Sequence, residues 1–305
     1  MKKQILLPQE IDENAKMLFL NSGYELVKCS DIEVETLREK GKQAIGIIVF
    51  GGHFGAEQMD VLPHLKVIGR FGVGIDNVDS AAAKARGIKI VNTPAANSHS
   101  VADAVLMSIL MLAREPMAAN CFVKRKLWSR NISPDKALRM GQELRNLTVG
   151  IVGLGSIGTE VATRCLAFGM RVISYTPSQK KMHHVENVSF EKLLEESDFI
   201  SLNCAGNSQT YHLINKEALS RMKNSAYLIN FARGSVIDTT ALVEALQNQK
   251  IAGAALDVFE EEPLDENDSL LGLDNVLLFP HFGSSTSQAI EKISKQLANN
   301  MINTL

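Results

Sequence analysis

The stretch YLINFARGS, Tyr227–Ser235, runs apolar residues straight into an arginine, a residue almost never buried without a partner. Arg233 is therefore either the place where the chain surfaces or a site for an anion. Two later segments also end on polar groups: LDVFEEEPL offers Asp257 and Glu262, and LLFPHFGSS offers His281. Taken singly, each has a plain alternative. An Arg before Gly is commonly a solvated turn, EEE a solvated face, and a His after Pro a loop residue. Taken together they hold the parts that hydride transfer to a 2-oxo acid requires. A guanidinium grips a carboxylate in planar, bidentate fashion and polarises the carbonyl beside it. A histidine delivers the proton that accompanies hydride and takes it back in oxidation. A carboxylate beside that histidine favours the imidazolium and fixes its orientation. The hydride itself belongs to a cofactor.

A place for that cofactor stands upstream. TVGIVGLGSIG sets Gly153, Gly155 and Gly158 in GxGxxG register, after the apolar strand Thr148–Val152 and before the helical stretch Ile157–Phe168. Gly153 makes the tight turn, Gly155 lets the backbone approach a pyrophosphate, and Gly158 allows close helix–strand packing. The helix amino terminus offers N–H groups and a positive dipole end to the phosphates. The next strand, MRVISY, is expected to end on an acid that receives the adenosine ribose hydroxyls. Thr176 stands there instead, followed by Pro-Ser-Gln-Lys-Lys. Two readings stay open: Thr176 binds the ribose through its hydroxyl, or the missing carboxylate, with Lys180 and Lys181 nearby, makes room for a 2′-phosphate. The second favours NADP over NAD.

The elements that must position these groups alternate, short β-branched runs with helical patterns, which predicts parallel-sheet α/β architecture. A first series has strands near Gln4–Leu7, Glu25–Val27, Ala44–Val49, Lys66–Gly69 and Lys89–Val91, with amphipathic stretches at Asn14–Asn21 and Ile32–Lys40. A second series continues from the glycine turn through Arg171–Tyr175, Phe199–Leu202, Ala226–Asn230, Ala252–Val258 and Val276–Leu278, and a helix at about Thr286–Ile302 closes the chain. Ligands bind beyond the carboxyl ends of parallel strands, so Arg233, Asp257, Glu262 and His281 are expected at one mouth. Between the series lies a helix near Val101–Arg114 with serines before it suited to capping. Its apolar residues nearly encircle it, so it is expected to be buried between domains or between subunits.

Composition narrows the classes further. The 305 residues suffice for two ordinary domains, and 45% hydrophobic with 22% charged residues is usual for a globular protein. A net charge of −2 and a pI near 6.4 give no electrostatic case for nucleic acid or anionic membranes. The apolar run before Pro8 is too short for a signal peptide, and AVLMSILMLA falls short of the roughly 20 residues that span a bilayer. Cys29, Cys121, Cys165 and Cys204 form no CxxC pair, and His183 and His184 are adjacent rather than i, i+4. A reduced, cytoplasmic protein without a metal is expected.

The ordered motifs VIGRFGVGIDNVD, GIKIVNTPAANSHSVADAVL, GIVGLGSIG, INFARGSVIDTTALVEAL, AALDVFEEEPL and FPHFGSST span essentially the whole chain. With them the sequence resembles the D-isomer-specific 2-hydroxyacid dehydrogenases. The resemblance implies a Rossmann-type dinucleotide-binding domain, 98–285, and a discontinuous flavodoxin-like substrate domain, 1–97 with 286–305, with the active site in the cleft between them. It implies that Arg233 binds substrate, that His281 is the acid/base and that Glu262 is its carboxylate partner. Gly153, Gly155, Ser156, Ile157, Gly158, Thr176, Thr210 and Asp257 would contact NADP or NAD, Asp257 at the nicotinamide end. Backbone N–H groups of Phe71, Gly72, Val73 and Gly74 would meet the substrate carboxylate, with Gly51 and Gly52 lining the other side. The Val101–Arg114 helix fits the segment through which such enzymes dimerise.

The implied activity is reduction of a small 2-oxo acid, such as glyoxylate or hydroxypyruvate, to a D-2-hydroxy acid. One alternative is 3-phosphoglycerate, for which Arg70 is the obvious phosphate ligand. The other, of a different class, is a dinucleotide-sensing corepressor of the same fold. Two departures from the family pattern stand out: Thr176 in place of the acid, and Ala205–Gly206 where relatives often carry a proline.

Overall fold

In the first unit the apolar runs form β1 (Lys3–Leu7), β2 (Tyr24–Lys28), β3 (Ala44–Val49), β4 (Val67–Arg70) and β5 (Lys89–Val91). They pair in the order β2-β1-β3-β4-β5, every pairing parallel, which is the flavodoxin-like order. The helices α1 (Glu13–Asn21), α2 (Val34–Lys40), α3 (Ala56–Asp60) and α4 (Ser80–Ala85) separate the strands. One face of the sheet meets Leu37, Met59 and Leu62; the other receives Phe19 of α1 together with Leu297, Ala298 and Met301 of the C-terminal helix, Ser287–Thr304. Both faces being covered, the strands read as nearly unbroken apolar runs, as in AIGIIV of β3.

The structure, a computed structural model, describes residues 3–130, 132–177 and 180–305. Met1–Ser100 with Ser284–Leu305 make the first unit and Val101–Gly283 the second. The helix α5 (Ser98–Arg114) leads into the second unit, followed by α6 (Pro116–Lys124) and α7 (Pro134–Ala137). Then come β6 (Thr148–Val152), α8 (Ser156–Ala167), β7 (Arg171–Tyr175), β8 (Val185–Asn187), α9 (Phe190–Glu196), β9 (Phe199–Leu202), α10 (Lys216–Arg221), β10 (Tyr227–Asn230), α11 (Thr239–Gln247), β11 (Gly253–Leu256) and β12 (Val276–Leu278). The strand order β12-β11-β10-β9-β6-β7-β8 is again parallel throughout and reverses at β6, the Rossmann arrangement with its switch point beside the glycine turn. Valines and isoleucines of α5, β6 and α8 share one core cluster of this unit.

Several elements depart from the sequence-based expectation. The short β8 has no apolar pattern to reveal it; it is an edge strand with two of its residues exposed. The helix α2 begins at Val34 rather than Ile32 because Asp31 accepts the Glu33 N–H and holds the chain in a turn. The strand expected over Ala252–Val258 is shorter, ending at Leu256, whereas β10 ends at Asn230 as expected.

Candidate active site

The glycine turn after β6 has the form its three positions require. Gly153 adopts φ +95°, and a Cβ there would come within 2.9 Å of the Asn203 carbonyl oxygen and the Cys204 nitrogen. A Cβ on Gly158 would stand 2.1 Å from the Gly153 carbonyl oxygen, so α8 packs on the turn only with glycine there, whereas Gly155 faces open space. The helices α9, α10 and α11 are each capped by a side chain, Ser189, Asn215 and Asp238, but α8 begins at Gly155 without a side-chain cap. Exposed Ser156 and half-buried Ile157 form its first turn. An uncapped first turn, a cradle that any Cβ would fill, and open space at Gly155 fit a dinucleotide pyrophosphate.

Thr176 follows β7 directly and is half-buried; Ser178 and Gln179 of the stretch after it lie outside the described residues. Lys180 reaches back to the same helix turn, its Nζ 3.0 Å from Thr159 Oγ1, and its carbonyl accepts from Asn187 of β8. Lys181 is exposed. Thr210 closes the loop after β9: its hydroxyl donates to the Ala205 carbonyl at 2.7 Å and accepts the Asn207 N–H at 2.9 Å.

The turn that carries Arg233 is built by a residue the sequence reading passed over. Buried Asn230 accepts the Ala232 N–H at 3.0 Å and donates to the Arg233 carbonyl at 2.9 Å, replacing the ladder partners that a continuing strand would have supplied. The Arg233 Nη1 donates to the Ala232 carbonyl at 2.8 Å. The next residue must be glycine, since a Cβ on Gly234 would lie 1.9 Å from the Phe259 carbonyl carbon and oxygen.

That contact leads to the loop after β11. Glu262 accepts from His281 Nδ1 at 2.7 Å through one carboxylate oxygen and from the Phe259 N–H at 3.0 Å through the other. Burial works to raise the Glu262 carboxyl. The hydrogen bonds from His281 and Phe259, with the charges of His281 and Arg233, overcome it and hold the group below its ordinary range. Phe259, Pro263, Leu264 and Phe279 join this pair around a cavity of about 340 Å³. His281 itself has φ +51°, a left-handed backbone that its surroundings must hold in place. Asp257, 2% exposed, does so: it accepts the N–H groups of Phe282 at 2.8 Å and Gly283 at 2.9 Å. Burial pushes the Asp257 carboxyl up, against those two bonds. The imidazole thus has Nδ1 fixed on a carboxylate, and Nε2 is the ring nitrogen able to exchange a proton with a bound molecule.

In the first unit, Gly51 and Gly52 follow β3, and Phe71–Gly74 follow β4. Asn77 ties the two segments together by donating to the Gly52 carbonyl at 2.8 Å and accepting from Arg70 Nε at 3.3 Å. The Phe71 N–H donates to the Val49 carbonyl at 2.8 Å, so Phe71 cannot offer an N–H to an anion as expected; the pairing of β3 with β4 takes it. Its ring stacks on Phe50 with centroids 4.6 Å apart. Gly72 and Val73 are held through their carbonyls, by the Thr93 N–H at 3.0 Å and by Asn92 Nδ2 at 2.5 Å. Arg70 also donates to the Phe71 carbonyl. Among the described residues no group of three or more His, Cys, Asp or Glu is placed to hold a metal ion, and no helix is long and apolar enough to cross a membrane.

Comparisons with known proteins identify the family. Residues 106–283 match the family model for the NAD binding domain of D-isomer specific 2-hydroxyacid dehydrogenases. The chain is 37% identical to the glyoxylate reductase of Thermococcus litoralis, over 99% of this chain and 93% of that one. It is 38% identical to the hydroxypyruvate reductase of Thermotoga maritima, over 97% and 96%. Among solved structures, the NADPH-dependent glyoxylate/hydroxypyruvate reductase of Sinorhizobium meliloti, in complex with NADP and malonate, superposes with a TM-score of 0.88 at 32% identity, covering 99% of this chain and 93% of that one. From the glycine turn to the histidine–glutamate pair, the chain belongs to the D-isomer specific 2-hydroxyacid dehydrogenase family.

Proposed function

We propose that this enzyme reduces small, unphosphorylated 2-oxo acids, glyoxylate and hydroxypyruvate foremost, to D-2-hydroxy acids. The observation that carries the reading is the 2.7 Å contact between His281 Nδ1 and Glu262, on a loop that Asp257 pins on its other side. A bound nicotinamide supplies the hydride. His281 donates the accompanying proton through Nε2, and Glu262 steadies the charged imidazole. Arg233 holds the substrate carboxylate and polarises its carbonyl. Gly72, Val73 and Gly74 offer N–H groups to the same carboxylate, and Gly51 and Gly52 line the side-chain pocket. Residues 1–97 with 286–305 are the substrate domain and 98–285 the dinucleotide domain. The hydrogen bonds that Arg70 makes to Asn77 and Phe71 favour substrates without a phosphate.

For the cofactor, Gly153, Gly155, Ser156, Ile157 and Gly158 hold the pyrophosphate, Thr210 lies on the adenosine side, and Asp257 meets the nicotinamide end. NADP is preferred to NAD, on the strength of Thr176 in the acid's place and Lys180 over the first turn of α8. The protein is a homodimer through α5 and α6, where Leu106, Met107, Leu110 and Met111 are only half-buried and Met117 is 63% exposed. Four free thiols suit a reducing, cytoplasmic compartment.

The test is turnover of glyoxylate, hydroxypyruvate and phosphohydroxypyruvate with NADH and NADPH. Reduction of the first two is expected. A preference for the phosphorylated acid would overturn the substrate, and cofactor binding without turnover of any oxo acid would favour the corepressor reading.

A further inference from the structure

A second histidine–glutamate contact lies on the same loop as the first. Glu260 Oε1 is 2.5 Å from His212 Nε2, and Oε2 accepts the Thr239 N–H, at the start of α11, at 3.4 Å. Burial works against the Glu260 charge, but hydrogen bonds from Thr239 and His212 hold its carboxyl below the ordinary range. His212 is anchored in turn. Its N–H donates to the Ser235 carbonyl at 2.9 Å, its φ is +48°, and its ring stacks on Tyr211 with centroids 4.0 Å apart. The pairing continues from Ile214 N–H to the Val236 carbonyl and from Asp238 N–H back to Ile214, each at 3.0 Å.

Phe259–Glu262 is therefore held at three places. Gly234, next to Arg233, packs against its Phe259 end with no room for a Cβ. His212 and Thr239 grip Glu260 in the middle, and Glu262 meets His281 at the far end. Without the His212 ring, Glu260 keeps only its Thr239 contacts and, as a partly buried carboxylate, gains by turning toward water. Only Glu261 separates Glu260 from Glu262, so any backbone shift that accompanies that turn reaches Glu262.

We infer that His212 and Glu260 are a positioning pair for reduction: they fix the Phe259–Glu262 segment so that Glu262 presents His281, and Gly234 presents Arg233, in one spacing. The inference rests on the proposed role of His281 as proton donor. Neither His212 nor Glu260 acts on substrate; both act through the Phe259–Glu262 segment.

The experiment measures kcat and KM for glyoxylate, cofactor Kd by nucleotide fluorescence, and Tm, for wild type, His212→Ala, His212→Gln, Glu260→Gln, the His212→Ala/Glu260→Gln double variant and His281→Ala. His212→Ala is expected to lower kcat about 10- to 100-fold, the scale of a misplaced catalytic group, with cofactor Kd unchanged. His212→Gln, whose amide nitrogen can reach Glu260, is expected to recover most of that loss. Adding Glu260→Gln to His212→Ala is expected to lower kcat little further, because one contact cannot be lost twice. Wild-type kcat in His212→Ala, or a glutamine variant no better than alanine, overturns the inference. Should His212→Ala fail to fold, Glu260→Gln decides, and wild-type kcat there overturns it equally. An inactive His281→Ala beside a fully active His212→Ala defeats this inference alone. A wild type that turns over no oxo acid, or a fully active His281→Ala, defeats the proposed function and this inference with it.

Discussion

Glu262 divides its two carboxylate oxygens between His281 Nδ1, at 2.7 Å, and the Phe259 N–H, at 3.0 Å. Both bonds need an acceptor, so an amide cannot replace the carboxylate. In Glu262→Gln the single oxygen satisfies one donor and the NH₂ group confronts the other. Losing a charge-assisted bond is worth about 1.5–3 kcal/mol. The expected result is a kcat for glyoxylate reduction lower by roughly 10- to 100-fold, with cofactor affinity unchanged. Steady-state kinetics with a separate cofactor titration checks it, and an unchanged kcat removes Glu262 from the mechanism.

The same carboxyl gives a pH signature in stability. Its folded-state pKa lies below the ordinary glutamate value of about 4.3. A carboxyl depressed on folding contributes stability above its unfolded pKa, and the contribution vanishes as pH falls through the folded value. The stability gap between wild type and Glu262→Gln should therefore hold from neutral pH down to the ordinary carboxylate range and close below it. Urea unfolding at pH 7 and at acid pH measures the gap. A gap equally wide at both would mean that packing, not charge, distinguishes the two proteins.

Asp257 offers a sharper case, because both its oxygens accept backbone N–H groups just after His281. Asp257→Asn sets an NH₂ against one of them in a buried place, at a cost of about 1–3 kcal/mol. The loop that holds His281 at φ +51° is then released. Lower Tm and lower kcat are expected together, and a stable variant with wild-type kcat would show that Asp257 does not hold this loop.

Arg233 is constrained from a third side by Gly206, where a Cβ would stand 3.0 Å from Arg233 Cγ and 3.2 Å from its Cβ. Gly206→Ala should push the guanidinium stem aside at a cost on the order of 1 kcal/mol, raising KM for the oxo acid roughly fivefold. Arg233→Lys removes the planar fork as well and should reduce kcat/KM by an amount on the order of 2–5 kcal/mol. If the lysine variant keeps its kcat/KM, the N–H groups of Gly72–Gly74 do most of the holding.

These contacts mark how far the sequence could be read. The turn after β6 was legible because its requirements are local: a strand, glycines at fixed offsets, and a helix lie within one short stretch. The contact between Glu262 and His281 was legible only through the ordered motifs, since nothing in either segment's own pattern names the other. Asn230, Asn77 and His212 escaped notice for a physical reason. Each is a polar residue whose partner is a backbone carbonyl or a carboxylate set by the local fold, and such bonds leave no periodicity. Asn230 ends β10 where the strand was expected to end, but the apolar run continues through Ala232, so hydropathy gave no sign of the turn that the Asn230 side chain builds. The Phe71 N–H looked available until the pairing of β3 with β4 engaged it.

The proposed preference for NADP rests on the end of β7. An acid at position 176 would accept the ribose hydroxyls of NAD and repel a 2′-phosphate. Thr176 removes that repulsion and brings a hydroxyl. Lys180 brings a positive charge to the first turn of α8, its Nζ 3.0 Å from Thr159 Oγ1. Wild type should therefore show a higher kcat/KM with NADPH than with NADH. The advantage should shrink as salt rises, since the attraction lies near solvent and is screened within a Debye length of about 10 Å at 0.1 M. Lys180→Ala should weaken NADPH use by an amount on the order of 1 kcal/mol, the upper range for an exposed ion pair, and leave NADH use unchanged. Thr176→Asp should reverse the preference. Measuring kcat/KM for both cofactors in the three proteins, at low and high salt, separates the contributions. A wild type that strongly favours NADH would sink the assignment. A Lys180→Ala that loses both cofactors equally would mean that the lysine steadies α8 and does not read the phosphate.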